Sequence, residues 1–239
     1  MLEPATTRKR EESREVRISS GKITLGGTLT VPAGAGGIVL FAHGSGSSRH
    51  SPRNQYVART IREAGIGTLL FDLLTPEEEA LERQTRHLRF DIEMLATRLM
   101  DATLWVTGAD GLAGMSVGYF GASTGGGAAL VAAAALGDLI GAVVSRGGRP
   151  DLAGTALPRV QAPTLLIVGG RDEVVIQVNR KAFAQLACHK ELKIIPGATH
   201  LFEEPGALEE VARQASDWFR RELQATESQQ EESNARETQ

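Results

Sequence analysis

Ser123, Asp172 and His200 are the three side chains whose types and order in this sequence could turn an alcohol into a nucleophile. A serine hydroxyl is weakly nucleophilic at neutral pH. A histidine must take its proton, and a carboxylate must hold that histidine in the working tautomer. Ser123 lies in Gly121-Ala122-Ser123-Thr124-Gly125, between the β-prone run Val117–Phe120 and the alanine-rich, helix-like run Ala128–Leu136. Glycines two positions to either side remove the Cβ atoms that a sharp strand-to-helix turn would drive into neighbouring backbone. Asp172 follows the apolar run Thr164–Val168 through Gly169-Gly170-Arg171, and His200 follows Leu192–Ile195 through Pro196-Gly197-Ala198-Thr199. Asp151 is the rival acid, while His50, His87 and His189 sit in segments that suit a base less well.

Acyl transfer also needs donors aimed at the developing oxyanion. The amide of Thr124 follows the nucleophile and opens a helix, where unpaired N–H groups and the helix dipole favour negative charge. The second donor is expected from His43-Gly44-Ser45-Gly46-Ser47-Ser48, which follows the run Ile38–Ala42; Ser45 is the candidate and Gly46 the fallback. His43 and Asp72 read as loop organisers rather than catalysts. Arg146 and Arg149, after the run Ala142–Ser145, could bind a carboxylate or phosphate on the substrate, or pair with Asp151, Glu203 or Glu204.

These positions depend on a scaffold whose outline is also legible. Val16–Ser20 and Thr24–Val31 alternate as a hairpin around Gly21-Lys22. Six short apolar runs follow: Ile38–Ala42, Thr68–Phe71, Val117–Phe120, Ala142–Ser145, Thr164–Val168 and Leu192–Ile195. Apolar runs without alternation suit strands covered on both faces. Helical periodicity marks Gln55–Glu63, about His87–Thr107, Gly126–Leu136, Val178–Ala187 and Gly206–Leu223. The order predicts an α/β fold: a doubly wound, mainly parallel sheet with an N-terminal antiparallel hairpin. Ligands bind such sheets outside the carboxyl ends of the strands, where every candidate above falls. One domain over 15–223 is expected, with a frayed N-terminus over 1–14 and a polar, disordered tail over 224–239.

With 239 residues, 41% hydrophobic, the chain can bury one large core. A net charge of -3 offers no basic footprint for nucleic acid, and no apolar run reaches the length of a membrane span. A small-molecule substrate is therefore the expected partner. Cys188 is the lone cysteine, which excludes an internal disulfide and suggests no metal site, and the charged N-terminus lacks a secretory core. A cytoplasmic protein is expected. The sequence sets no oligomeric state.

Together His43–Gly46 (H-G-S-G), Gly121–Gly125 (G-A-S-T-G), Gly169–Asp172 (G-G-R-D) and Pro196–His200 (P-G-A-T-H) resemble the α/β-hydrolase superfamily. More narrowly, they resemble its dienelactone hydrolase-like branch of small bacterial esterases, over about Val16–Leu223. The resemblance implies the α/β-hydrolase fold, a Ser123–Asp172–His200 triad and no metal or organic cofactor. Dienelactone hydrolases proper carry a cysteine at the elbow where this chain has Ser123, which points to a serine esterase for small carboxylic esters rather than to dienelactone itself. Thioesterases, peptidases and perhydrolases can use the same triad, and a binding module can keep the fold without catalysis. The stretch between Ser145 and Arg171 is too short for a cap domain, so an open site without a large lid is expected. Related modules also occur fused to phosphoribosyltransferase domains; none is expected here.

Overall fold

Gly21, at φ +56°, and Lys22 turn β1 (Glu11–Ser20) back onto β2 (Ile23–Pro32) in a two-residue hairpin. The computed structural model describes residues 11–237, with side chains described over 12–223. The strand begins at Glu11, so residues 11–14 of the expected frayed segment are paired instead. The pattern there is polar because β1 is an edge strand: Ser13 and Thr30 join hydroxyls at 3.0 Å, and no apolar face is required. Residues 1–10 of the expected N-terminal segment lie outside the described residues.

Six parallel strands complete an eight-stranded sheet: β3 (Gly37–Ala42), β4 (Gly67–Phe71), β5 (Ser116–Ala122), β6 (Ile140–Arg146), β7 (Thr164–Gly169) and β8 (Lys190–Ile195). The order is β1-β2-β4-β3-β5-β6-β7-β8, with β2 antiparallel to β4 and all later pairs parallel. Every residue of β3, β4 and β7 is buried, the outcome expected of strands covered on both faces.

Alternate residues of each strand serve two separate cores. Ile38, Leu40 and Tyr119 face α3 (Ile92–Gly108) and α4 (Thr124–Leu136), whereas Val39, Phe41 and Phe120 face α1 (Pro52–Glu63) and α6 (Ala207–Glu237). On the second side the Phe41 and Phe120 rings lie 4.9 Å apart. Helix α4 buries nine residues, mostly glycine and alanine, because small side chains let it press against the sheet below the turn at Ser123. The backbone of α6 stays helical to Glu237, past Leu223, where the sequence reading ends the domain; residues 238 and 239 lie outside the described residues. Its sequence beyond 223 is rich in good helix formers, a signal that the missing apolar face obscures.

Two further helices complete the chain. Helix α5 (Glu173–Gln185) starts five residues before the expected Val178, because Asp172 caps it. Helix α2 (Pro76–Thr85) has no counterpart in the sequence reading. Only Glu82 of it is buried, so hydrophobic periodicity cannot reveal it, although Thr75-Pro76-Glu77-Glu78 spells a capping box that the structure forms in full. Between Ser145 and Arg171 the chain makes only 3-10 turns over Pro150–Arg159 before β7. Among the described residues no helix is long and apolar enough to cross a membrane.

Candidate active site

The turn between β5 and α4 forces Ser123 to φ +50° and ψ -121°, a conformation that L-residues rarely hold. Its side chain makes no capping bond to α4, so the hydroxyl is not spent on its own helix. The flanking glycines are demanded by space. A Cβ on Gly121 would lie 2.6 Å from the Gly125 carbonyl oxygen, and one on Gly125 only 2.1 Å from that of Ala42. Gly125→Ala is therefore expected to lower stability by about 3 kcal/mol or more, measurable as a fall in the urea midpoint. A loss below about 1 kcal/mol would show that β3 and α4 are not pressed together there.

Asp172 and His200 meet at the same edge of the sheet. Asp172 Oδ2 accepts a hydrogen bond from His200 Nδ1 at 2.6 Å, while its Oδ1 accepts from the Val175 amide of α5 at 3.4 Å. The helix start and the histidine thus share one carboxylate, which fixes its orientation. With its proton on Nδ1, the imidazole presents an unprotonated Nε2. The His200 side chain is 40% exposed and that of Asp172 15%, so the ring edge reaches solvent while the carboxylate stays shielded.

Ser123 and His200 both border the segment that follows β6. Ser123 N donates to the Arg146 carbonyl at 3.3 Å, and the Arg149 amide donates to the Ser123 carbonyl at 3.0 Å. Gly147, at φ +51°, underlies the histidine: a Cβ there would lie 3.2 Å from His200 O and 3.6 Å from its Cε1. Among the described residues no hydrogen bond joins Ser123 Oγ to His200. The rival acid, Asp151, is taken up by Arg149, whose guanidinium donates to it at 2.8 and 2.7 Å.

The two residues whose amides are the candidate oxyanion donors are neighbours through their side chains. Ser45 Oγ and Thr124 Oγ1 lie 3.1 Å apart, which ties the loop after β3 to the first residue of α4. A Cβ on Gly44 would stand 3.0 Å from Ser123 Cβ, so the loop passes close to the elbow. The Thr124 amide opens α4 and has no partner within the helix.

His43 braces this loop. The Leu73 amide donates to His43 Nε2 at 2.9 Å, so Nδ1 carries the hydrogen and donates to the Gly44 carbonyl at 3.0 Å. Burial pushes its pKa below the ordinary 6.5. An unfolded chain takes up a proton below that pH which the folded chain refuses, so stability falls with pH from about 6.5 down to the depressed value. His43→Gln, which keeps an acceptor but cannot titrate, should flatten this part of a Tm-against-pH curve. An unchanged slope would remove His43 as its source. Asp72 organises the neighbouring turn, as its sequence position suggests, by accepting from the Arg49 amide at 2.8 Å and pairing with the Arg49 guanidinium.

Arg146 and Arg149, for which the sequence leaves substrate binding or pairing with a nearby carboxylate open, differ in their partners: Arg149 is paired with Asp151, whereas the buried Nε and Nη1 of Arg146 have no hydrogen-bond partner among the described residues. Hydrogen bonding to Asp151 raises the pKa of Arg149. Arg146 is buried over the Phe202 ring, with Nη2 3.5 Å from Asn54 Oδ1, and desolvation together with nearby Arg53 brings its pKa down to about 10. The pairing alternative weighed for Arg149 is the one present, and Arg146 packs toward α1.

The residues that sequence reasoning missed belong to α2 and its surroundings. A narrow crevice lies beside Gly44–Gly46, roofed by Glu79 and Glu82 of α2 and lined by Leu73, Leu74 and Leu95. The roof is fastened: Arg98 donates to both carboxylate oxygens of Glu78, at 2.6 and 2.7 Å, and to the Leu73 carbonyl at 2.6 Å. Among the described residues no group of three or more His, Cys, Asp or Glu side chains is placed to hold a metal ion.

An eight-stranded, mostly parallel sheet with a serine on a strained elbow after one central strand, and an acid and a histidine after the last two, defines the α/β-hydrolase fold. The chain belongs to the dienelactone hydrolase family, whose model matches residues 26–229. It is 60% identical to a dienelactone hydrolase from Anabaena variabilis, whose crystal structure matches 89% of this chain and 99% of its own with a TM-score of 0.87. Est1E from Butyrivibrio proteoclasticus shares the fold at 17% identity and TM-score 0.72, covering 87% of this chain and 98% of its own. A Mycobacterium tuberculosis protein named as a phosphoribosyl transferase is 60% identical over 205 residues, 86% of this chain. This chain spans only 45% of that protein's length. Family and fold together support an enzyme of the hydrolase class.

Proposed function

We propose that the protein is a serine carboxylesterase that cleaves small carboxylic esters through an acyl-enzyme on Ser123. The observation that carries this reading is the 2.6 Å Asp172–His200 pair, which leaves Nε2 free to act as a base at the edge that bears the Ser123 elbow. His200 takes the Ser123 proton as Oγ attacks the ester carbonyl, and Asp172 stabilises the imidazolium. The amides of Thr124 and Ser45 hold the tetrahedral oxyanion, His200 protonates the departing alcohol, and water repeats the sequence to release the acid. No step calls on a metal or an organic cofactor. A cytoplasmic setting belongs to the same proposal, supported by the single cysteine. The transferase name belongs to a protein of which this chain matches only 45%, and no residue assigned here depends on it.

A fluorophosphonate probe tests the central assignment. Folded wild-type protein should gain one adduct, located on Ser123 by peptide mass spectrometry. Folded protein that takes no label would favour a binding module of the same fold over an esterase.

A further inference from the structure

Resting on the esterase reading above, we infer that Asn179 is a positioning residue for the reaction: it fixes the spacing between the Ser123 elbow and the His200–Asp172 pair. The acid and the base are joined directly. Besides the 2.6 Å pair itself, the Arg171 amide donates to the Ala198 carbonyl at 2.9 Å, so the loops that carry Asp172 and His200 are tied side by side. A link from the nucleophile to this pair runs through Gly147, Gly148 and Arg149. The Gly147 amide donates to the Ile167 carbonyl of β7 at 2.7 Å, and the Arg149 amide donates to the Ser123 carbonyl at 3.0 Å.

Consecutive glycines at 147 and 148 make this link soft, because neither carries a side chain that packing could hold. Asn179 supplies the hold. Its Nδ2 donates to the Gly148 carbonyl at 3.0 Å and to the Val175 carbonyl, one turn back in α5, at 2.8 Å, and the residue is wholly buried. The same helix starts from its cap, Asp172, which lies seven residues earlier and so close to two turns away on the same side. One rigid element therefore grips the partner of the histidine at its start and the loop behind the nucleophile further along.

The chemistry of the contact identifies the group that is needed. Both partners are carbonyls, so the atom facing them must offer two hydrogens, and an amide nitrogen does so without bringing a charge into the interior. The Asn179 oxygen, by contrast, is buried with no hydrogen-bond partner among the described residues. Leaving an acceptor dry costs stability, and leucine, of similar volume, would remove that cost while depriving the buried Gly148 carbonyl of its donor. For the fold the exchange is close to neutral. For the elbow it is not: the Gly148 peptide would turn toward water, and the neighbouring Arg149 amide would leave the Ser123 carbonyl.

The test uses Asn179→Leu and the isosteric Asn179→Asp, which puts an acceptor where the two-hydrogen donor stood. Exhaustive labelling with a fluorophosphonate counts competent sites, and kcat on a short chromogenic ester is expressed per labelled site. Both variants should lose about ten- to a hundredfold in kcat, with KM within about twofold of the wild type and slower labelling of Ser123. A folded variant that takes no label is the extreme of the same loss. Where leucine prevents folding, aspartate, which has the same shape, decides. A role in stability alone would lower the urea midpoint and leave kcat per labelled site unchanged; that result in either variant, or a rise in KM at constant kcat, overturns the inference and leaves the esterase reading standing. If the wild type takes no label and cleaves the ester no faster than Ser123→Ala does, the esterase reading falls and this inference falls with it.

Discussion

Ser123→Ala is expected to cut kcat on a short chromogenic ester by about 10⁴-fold or more while leaving the fold in place. The size of the loss follows from the arrangement. Without Oγ there is no acyl-enzyme, and the His200–Asp172 pair has no proton to accept; what remains is the assistance that oxyanion donors give to attack by water. Alanine has nearly the same shape as serine, and the serine side chain makes no cap bond to α4, so the melting curve should barely move. Retained activity in a folded variant would show that another group is the nucleophile.

Asp172→Asn should lower kcat by about 10³ to 10⁴-fold, for a reason distinct from loss of charge alone. An amide at this position can donate to Nδ1, which turns the imidazole into the tautomer that carries its proton on Nε2, the nitrogen that must act as base. Because Asp172 also caps α5, the choice of substituent separates chemistry from folding. Asparagine is as good a cap as aspartate, so this variant should keep the wild-type urea midpoint. Asp172→Ala should lose the activity and about 1 kcal/mol of stability as well. An asparagine variant within tenfold of the wild type would show that the carboxylate does not set the tautomer of His200.

Residues of two kinds made the site legible. Glycines at 121 and 125 are required by clashes of 2.6 and 2.1 Å that any side chain would cause, so sequence and geometry carry the same constraint. Asp172 and His200 follow β7 and β8 within a few residues, so strand prediction alone sets them at one edge. The start of α5 was less legible, because a residue that caps a helix and binds a histidine reads first as a catalytic acid. Helix α2 was hidden for a different reason. It buries one glutamate and no apolar stripe, and a run such as Pro76-Glu77-Glu78-Glu79 looks like solvated loop unless Thr75 is read as its cap. The parts of the protein that follow from apolar burial were thus readable. Those held by charge and capping, which include the walls of the crevice, were not.

The backbone conformation at residue 123 sets stability and reactivity against each other. Holding a side chain at φ +50° and ψ -121° costs about 1 to 3 kcal/mol, and glycine would relieve most of it. A library sorted only for heat tolerance or soluble yield would therefore drift toward glycine at this position. Its hardiest members would be inert, so any programme to toughen this scaffold has to score turnover in every round.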